Sequence, residues 1–530
     1  MPIHDAAPPA EPGAARAVSA GPEQAAGAGA DVTQPGRPAG TARAGRGRAG
    51  QPLRRVPPRW RMPLATYGAC QLIFLLWWAA FYPGLASYDS IVYVLHVTTG
   101  PWVDNHSVLY DSLVWLSLHV TGSYAGLTLA QTVAASAAFG YAVAAFRRLG
   151  VPGRWTALAA VALAAAPPTG ALILFVWKDT AFTLCAFMVV CTLAHLVSLR
   201  GGPGWQADRR VGWLIAVLGL ELLGLTLFRP NGFVFVALSA IFMVAFLPGV
   251  RARVAAVAAA AICVFFALNY VVYPAVGIQR APTSLTYGPV YADIAVAYAK
   301  SPASFTAADT QLMARVAPLT VWRNTADCYS ADTTTTAVPG FTARAEQLNG
   351  QLLALWERIL GRSPALITGA RICRASIAWD IFNGPANLRG GVQIPLVKPP
   401  PDLFGLGSRH NVRNNPYHAT FYPHPLLPGL RKIAEFLYSL SQTPQLQWLL
   451  WRGAFWCYLS YLVLFAYARA RRNWAVLSLG AILIGQQLGI LLDNPAQLYR
   501  YMISPIFIGA VLIPLYFARN RPAPTGRADP

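Results

Sequence analysis

The sequence predicts an all-α polytopic membrane protein with about ten transmembrane helices and a long, partly helical extracytoplasmic loop. Three observations predict it. Of 530 residues, 55% are hydrophobic and only 12% charged, too few charges to cover a soluble surface. Apolar runs recur at roughly the 20-residue length a helix needs to cross a bilayer core. Basic residues gather in tails and short loops such as "RRLGVPGR", "RGGPGWQADRR", "PGVRARV", "ARARR" and "ARNR", as they do in cytoplasmic loops. The formal charge of +21 therefore reports topology, and no nucleic-acid partner is implied.

Residues 1–61 are Ala, Gly, Pro and Arg with few large apolar side chains. They cannot bury enough surface to offset chain entropy, so a disordered basic cytoplasmic tail is expected. The first apolar run is too long for a signal peptide core and reads as an uncleaved anchor. Expected spans are Leu64–Tyr82, Tyr124–Phe146, Trp155–Val176, Thr180–Leu199, Val211–Phe228, Phe233–Leu247 and Val254–Ala275. After a long loop come Leu446–Ala468, Trp474–Leu492 and Tyr501–Ala518. The short segment Ser107–Val120, interrupted by Asp111 and His119, decides the orientation. As an interfacial helix it leaves every basic loop beside the N-terminal tail, and as a span it would send them outside. The interfacial reading places both termini in the cytoplasm of a multi-pass cell-membrane protein. The chain then divides into a transmembrane core at 62–276 with a first outer loop at 83–123, an extracytoplasmic region at 277–445, C-terminal spans at 446–518 and a disordered tail at 519–530.

With this topology, five polar motifs fall on the extracytoplasmic face: "YPGLASYDS", "VDNHSVLY", "VWKDT", "FRPNG" and "DNPAQLYRY". Plain Arg clusters occupy the other face. Charges wedged between apolar runs snorkel at many helix ends, but five mixed motifs on one face favour a composite site. Asp89 and Asp179 are carboxylates suited to general-base work or to holding a cation. Lys178, Arg229 and Arg500 suit a phosphate or diphosphate, and His106 and Asn231 can orient hydroxyls. Two neighbouring carboxylates raise each other's pKa unless a cation lies between them, so a divalent metal or a Lys is expected within reach. The sequence contains no GxxxxGK[ST] loop, HExxH, CxxC or GxSxG motif, which argues against a nucleotide motor, a zinc site and a serine hydrolase.

The outer region is too long for a connector. "TARAEQLNGQLLALWERIL" puts Leu348, Leu352, Leu355 and Ile359 on one helical face, with "ALITGARICRASIAWDIF" as its expected partner. The Pro-, Asn- and aromatic-rich stretch from Pro395 to Gly429 reads as a lid or cap. Cys328 and Cys373 lie in this region, in an oxidising compartment, and are expected to form a disulfide. Glu221, inside an apolar span, is expected to be a protonated acid hydrogen-bonded between helices, outside the site.

These residues resemble a known family. An anchor helix, an Asp just past "YPG", "NHSVLY" in the first loop, a third helix ending in a charged Asp motif and a terminal "RY…P" helix look like the GT-C superfamily of integral-membrane glycosyltransferases. Within it the pattern is similar to family 39, the protein O-mannosyltransferases, and their bacterial relatives. The resemblance runs from about Leu64 to Ala518 and is strongest from Tyr82 to Gly232. It implies an enzyme that takes a sugar from a polyprenyl-phosphate donor and passes it to an extracytoplasmic acceptor, an envelope glycan, lipid or protein. It implies that Asp89, the first-loop acid, acts as base or metal ligand. The chain departs from many relatives in carrying Ser90 where they have a second adjacent acid, and its next carboxylate in this loop is Asp104. The alternative is a multi-pass transporter or lipid flippase. Transporters commonly show two related halves, and no such repeat is visible here.

Overall fold

A computed structural model describes residues 57–200, 204–382 and 414–518. The expected tails, up to residue 56 and from 519 onward, and residues 383–413, which include the first part of the Pro-rich stretch, lie outside them. The chain divides into units 1–55 and 56–530, and the described residues all belong to the second. It is almost wholly helical, with only isolated bridges between extended segments among the described residues.

Among the described residues, seven helices are long and apolar enough to cross a membrane, and up to nine spans result if each of two bent pairs is one. This makes the chain a multi-pass membrane protein. In chain order the helices begin with α1 (Pro58–Ala80), the short α2 (Tyr88–Thr98) and α3 (Val108–Thr121), then α4 (Ala125–Arg148), α5 (Gly153–Ala165), α6 (Pro167–Leu174) and α7 (Lys178–Leu199). They continue with α8 (Arg209–Phe228), α9 (Gly232–Phe246) and α10 (Arg251–Ala267). The apolar helix α9, with 15 residues, falls below the length of a full span. Large apolar side chains such as Leu72, Leu220, Ile241 and Leu462 are exposed on the bundle's outside, where a bilayer offers an apolar solvent.

Four expectations are corrected. The segment Trp155–Val176 is not one straight helix but α5 and α6, bent by 68°. Pro167 and Pro168 cause the break: Ala166, preceding a proline, is extended with ψ 129°, as proline requires of its predecessor. The span expected at Leu446–Ala468 is likewise two helices, Pro444–Leu450 and Gly453–Arg471, at 54°. Lys178 and Asp179 do not end the third span but open α7, and Asp179 there meets the partial positive end of the helix. The first helix also starts earlier than expected, with Pro58 at a position where proline's missing N–H costs nothing.

Between α10 and the last spans lies a helical domain with its own core. Leu352, Leu355 and Ile359 of the Asn349–Arg362 helix are fully buried, with Leu348 beside them, against Tyr291, Met313, Trp322 and Phe341. The partner helix is Pro364–Arg374, inside the segment the sequence pointed to. Asp293, fully buried, accepts from Arg374 Nη1 at 2.7 Å, pairs with Arg371 and accepts from Trp356 Nε1 at 3.0 Å. Cys328 and Cys373 are joined across 45 residues. Cys373→Ser should destabilise this domain by about 3–4 kcal/mol in the chain-entropy picture, read as a lower melting temperature without reductant. An unchanged melting temperature would mean that packing alone holds the loop.

Candidate functional site

Two extended segments bring the first-loop acid to "VWKDT". Leu85 and Phe175 pair in parallel, with Leu85 N–H donating to the Leu174 carbonyl at 2.9 Å and Val176 N–H to the Leu85 carbonyl at 3.0 Å. Helix α2 starts immediately afterwards through a capping box, in which Ser90 Oγ accepts from the Ser87 N–H at 2.9 Å. The same hydroxyl donates to the Val176 carbonyl at 2.9 Å. Ser90 therefore ties the two motifs together, a donor role an ionised carboxylate could not fill. Asp104 is also committed elsewhere, accepting from the Ala281 N–H at 2.5 Å.

Around this join the expected residues gather. Arg500 Nη1 lies 2.5 Å from Asp89 Oδ2 and 3.8 Å from Asp179 Oδ2. The cation between the two acids is thus an arginine. Arg229 Nε lies 3.3 Å from Asp179 Oδ1. Its guanidinium is sandwiched by Tyr501, Phe182 and Phe235, with ring centroids 4.6, 5.1 and 5.6 Å away. Arg229 reaches this place because Pro230 follows it. The residue before a proline leaves the helical region, and Arg229 is extended at φ −136°, ψ 131°. The chain then turns into α9 at Gly232, where a Cβ would lie 2.0 Å from the Leu225 carbonyl oxygen. Asn231 stands one step aside, donating to Asp493 at 3.4 Å.

Lys178 Nζ lies 2.5 Å from His106 Nδ1. Burial, reinforced by Lys178, pushes the His106 imidazole well below its ordinary range, with Asp89 opposing. A neutral imidazole accepting the ammonium proton at Nδ1 fits both facts and leaves its own proton on Nε2. Ser107 Oγ donates to the Leu227 carbonyl at 2.7 Å, anchoring this loop to the end of α8. Burial alone would raise the Asp89 carboxyl. Arg500, then His106 and Lys178, outweigh it and hold Asp89 well below the usual carboxylate range.

Sequence reasoning missed four neighbours. Trp177 stacks on Phe175 at 4.2 Å, donates to Ser87 Oγ and lies 5.1 Å beneath Arg500. Tyr93 stands edge-on to His106 at 5.1 Å, and Tyr501 flanks both arginines. Asp332, from the helical domain, comes within electrostatic range of Arg500 and Asp89. Desolvation where the domain meets the cluster raises its carboxyl above the ordinary range although the residue keeps a solvent-exposed side, with Arg500 opposing the rise and Asp89 adding to it. Aromatic neighbours of a charge motif were visible in "VWKDT" and "YRY"; nothing local pointed to Asp332.

Asp179 is 1% exposed and Arg229 5%. Both Asp179 oxygens and Arg229 Nη1 are buried without a hydrogen bond of good geometry among the described residues. The site therefore holds polar atoms with bonding capacity to spare. It does not fit a resident metal: among the described residues no three His, Cys, Asp or Glu side chains gather to hold an ion, and the two aspartates are turned to arginines. Glu221 is separate, accepting from Thr192 Oγ1 across α7 and α8 at 2.8 Å. A surface cavity of about 560 Å³ lined by Gln206, Arg209, Trp213 and Arg253 opens at the opposite end of α8 and contains none of these groups.

No protein-family profile matches the sequence, and no curated protein does. Among solved structures, the chain is similar to ArnT from Cupriavidus metallidurans, whose crystal structure was determined bound to undecaprenyl phosphate. The identity is 12% and the TM-score 0.32, covering 85% of this chain and 77% of that one.

Proposed function

We propose that this protein is a membrane glycosyltransferase that moves a sugar from a polyprenyl-phosphate donor to an extracytoplasmic acceptor. The observation that carries the reading is the cluster itself. Three cations and two carboxylates converge from the first loop and the ends of three helices, at the end of a bundle that lipid would surround. A phosphate leaving group gains negative charge as its bond to the sugar breaks, and prearranged cations stabilise that charge most in a dry site. Lys178, half-buried, is placed to meet it, while Arg500 and Arg229 are held by the aspartates. His106 Nε2–H and Asn231 are suited to sugar hydroxyls. The loop charge pattern supports cytoplasmic termini, with the cluster and residues 277–445 on the outer side.

The two bent spans are the feature this chain shares with transporters, and the same experiment separates the readings. Lipid mass spectrometry of envelopes lacking the protein should show one polyprenyl-phosphate sugar accumulating. Purified protein in liposomes should then convert that lipid to free polyprenyl phosphate. A donor that accumulates in cells but stays uncleaved by the purified protein would favour a flippase.

A further inference from the structure

Sugar transfer to a hydroxyl needs a base on the acceptor side, and neither expected aspartate suits that task. Asp89 is bound to Arg500 at 2.5 Å, and Asp179 is 1% exposed between two arginines. A carboxylate held by a guanidinium is a poor proton acceptor. The helical domain supplies a third carboxylate. Its segment 329–331 lies antiparallel to the one preceding Arg500: Ser330 pairs with Ala496, Ala331 N–H donates to the Pro495 carbonyl at 2.8 Å, and Gln497 N–H donates to the Tyr329 carbonyl at 3.2 Å. Asp332 follows directly. Its arm is braced by the Cys328–Cys373 disulfide and by Asp327, which accepts from the Tyr329 N–H at 2.8 Å and from Thr333 Oγ1 at 3.0 Å. Asp332 is exposed, and among the described residues it has no ion-pair partner. It belongs to the domain side and lies within electrostatic range of Arg500, whereas Lys178 and Arg229 reach the cluster from the bundle.

We propose that Asp332 is the general base of the transfer, an assignment that rests on the glycosyltransferase reading above. The acceptor O–H gives its proton to a carboxylate oxygen of Asp332. The freed oxygen pair forms the bond to the sugar's anomeric carbon. The bond from that carbon to the phosphate oxygen breaks, its electrons leaving on the polyprenyl phosphate beside Lys178. Asp332 then returns its proton to water at the open side of the site.

Azide tests this because it attacks without needing a base. The full chain in liposomes is given undecaprenyl-phosphate mannose, glucose or galactose, with water or sodium azide as acceptor, and released undecaprenyl phosphate is measured. Asp332→Asn should lower release to water by about 100-fold or more, keep the wild-type melting temperature, and recover most of the loss with azide as a glycosyl azide forms. Lys178→Ala should be slow with both acceptors. If the wild type is active and Asp332→Asn is nearly as fast in water, or azide restores nothing, the assignment is overturned while the transferase reading stands. A wild type that releases undecaprenyl phosphate from none of the three overturns both.

Discussion

Asp89→Asn is expected to lower sugar transfer by about 10²–10³-fold, the usual scale for removing one preorganised electrostatic group, without loss of folded protein. Asparagine keeps the shape and a hydrogen bond to Arg500 but removes the charge. Arg500 then has only Asp179, 3.8 Å away, and is free to swing toward the donor phosphate or away from it. Asp89 is 18% exposed, so losing its charge should cost less stability than losing that of a fully buried acid. Release of polyprenyl phosphate at matched melting temperature reads the effect. Near-normal transfer in the folded variant would make the Asp89–Arg500 pair a structural brace rather than part of the site.

Asp179→Asn should behave differently. Its loss leaves the Arg229 guanidinium, 5% exposed, as a buried charge whose nearest counter-ion is gone. Breaking one side of a buried pair costs about 3–5 kcal/mol, so the variant should express poorly and melt at a clearly lower temperature. Removing both charges, Asp179→Asn with Arg229→Gln, should recover part of that stability while transfer stays low. A single variant as stable as the wild type would show that Arg500 or solvent already compensates Arg229.

The contrast between these aspartates was not legible in the sequence, although the residues were. Local patterns carry the helices: apolar runs of the right length, and Pro167–Pro168, which announce a break that the expected span at Trp155–Val176 overlooked. They also carry the list of polar helix ends. They do not carry contacts across hundreds of residues. Arg500 reads as a phosphate-binding cation beside "LYRY", yet it lies between two acids, one of them 411 positions away. Ser90 reads as a missing acid and is instead a donor joining two segments. Asp332 has no motif around it; its place is set by the disulfide and by pairing with Ala496, neither of which is a local property.

The pairing between the helical domain and the segment before Arg500 has a mechanical consequence. Asn494 Nδ2 donates to the Arg374 carbonyl at 2.7 Å and Gln497 Nε2 to the Cys373 carbonyl at 2.9 Å, in addition to the two main-chain bonds from 329–331. Both arms clasped to residues 494–497 are held to each other by Cys328–Cys373. Tilting the domain outward would drag Arg500 along and pull it from Asp89, which would lose its principal counter-charge and keep only Lys178 and His106. Opening in that direction is therefore the costly one. A lipid donor of the kind proposed above should slip in sideways from the bilayer, between helices, while the roof stays in place.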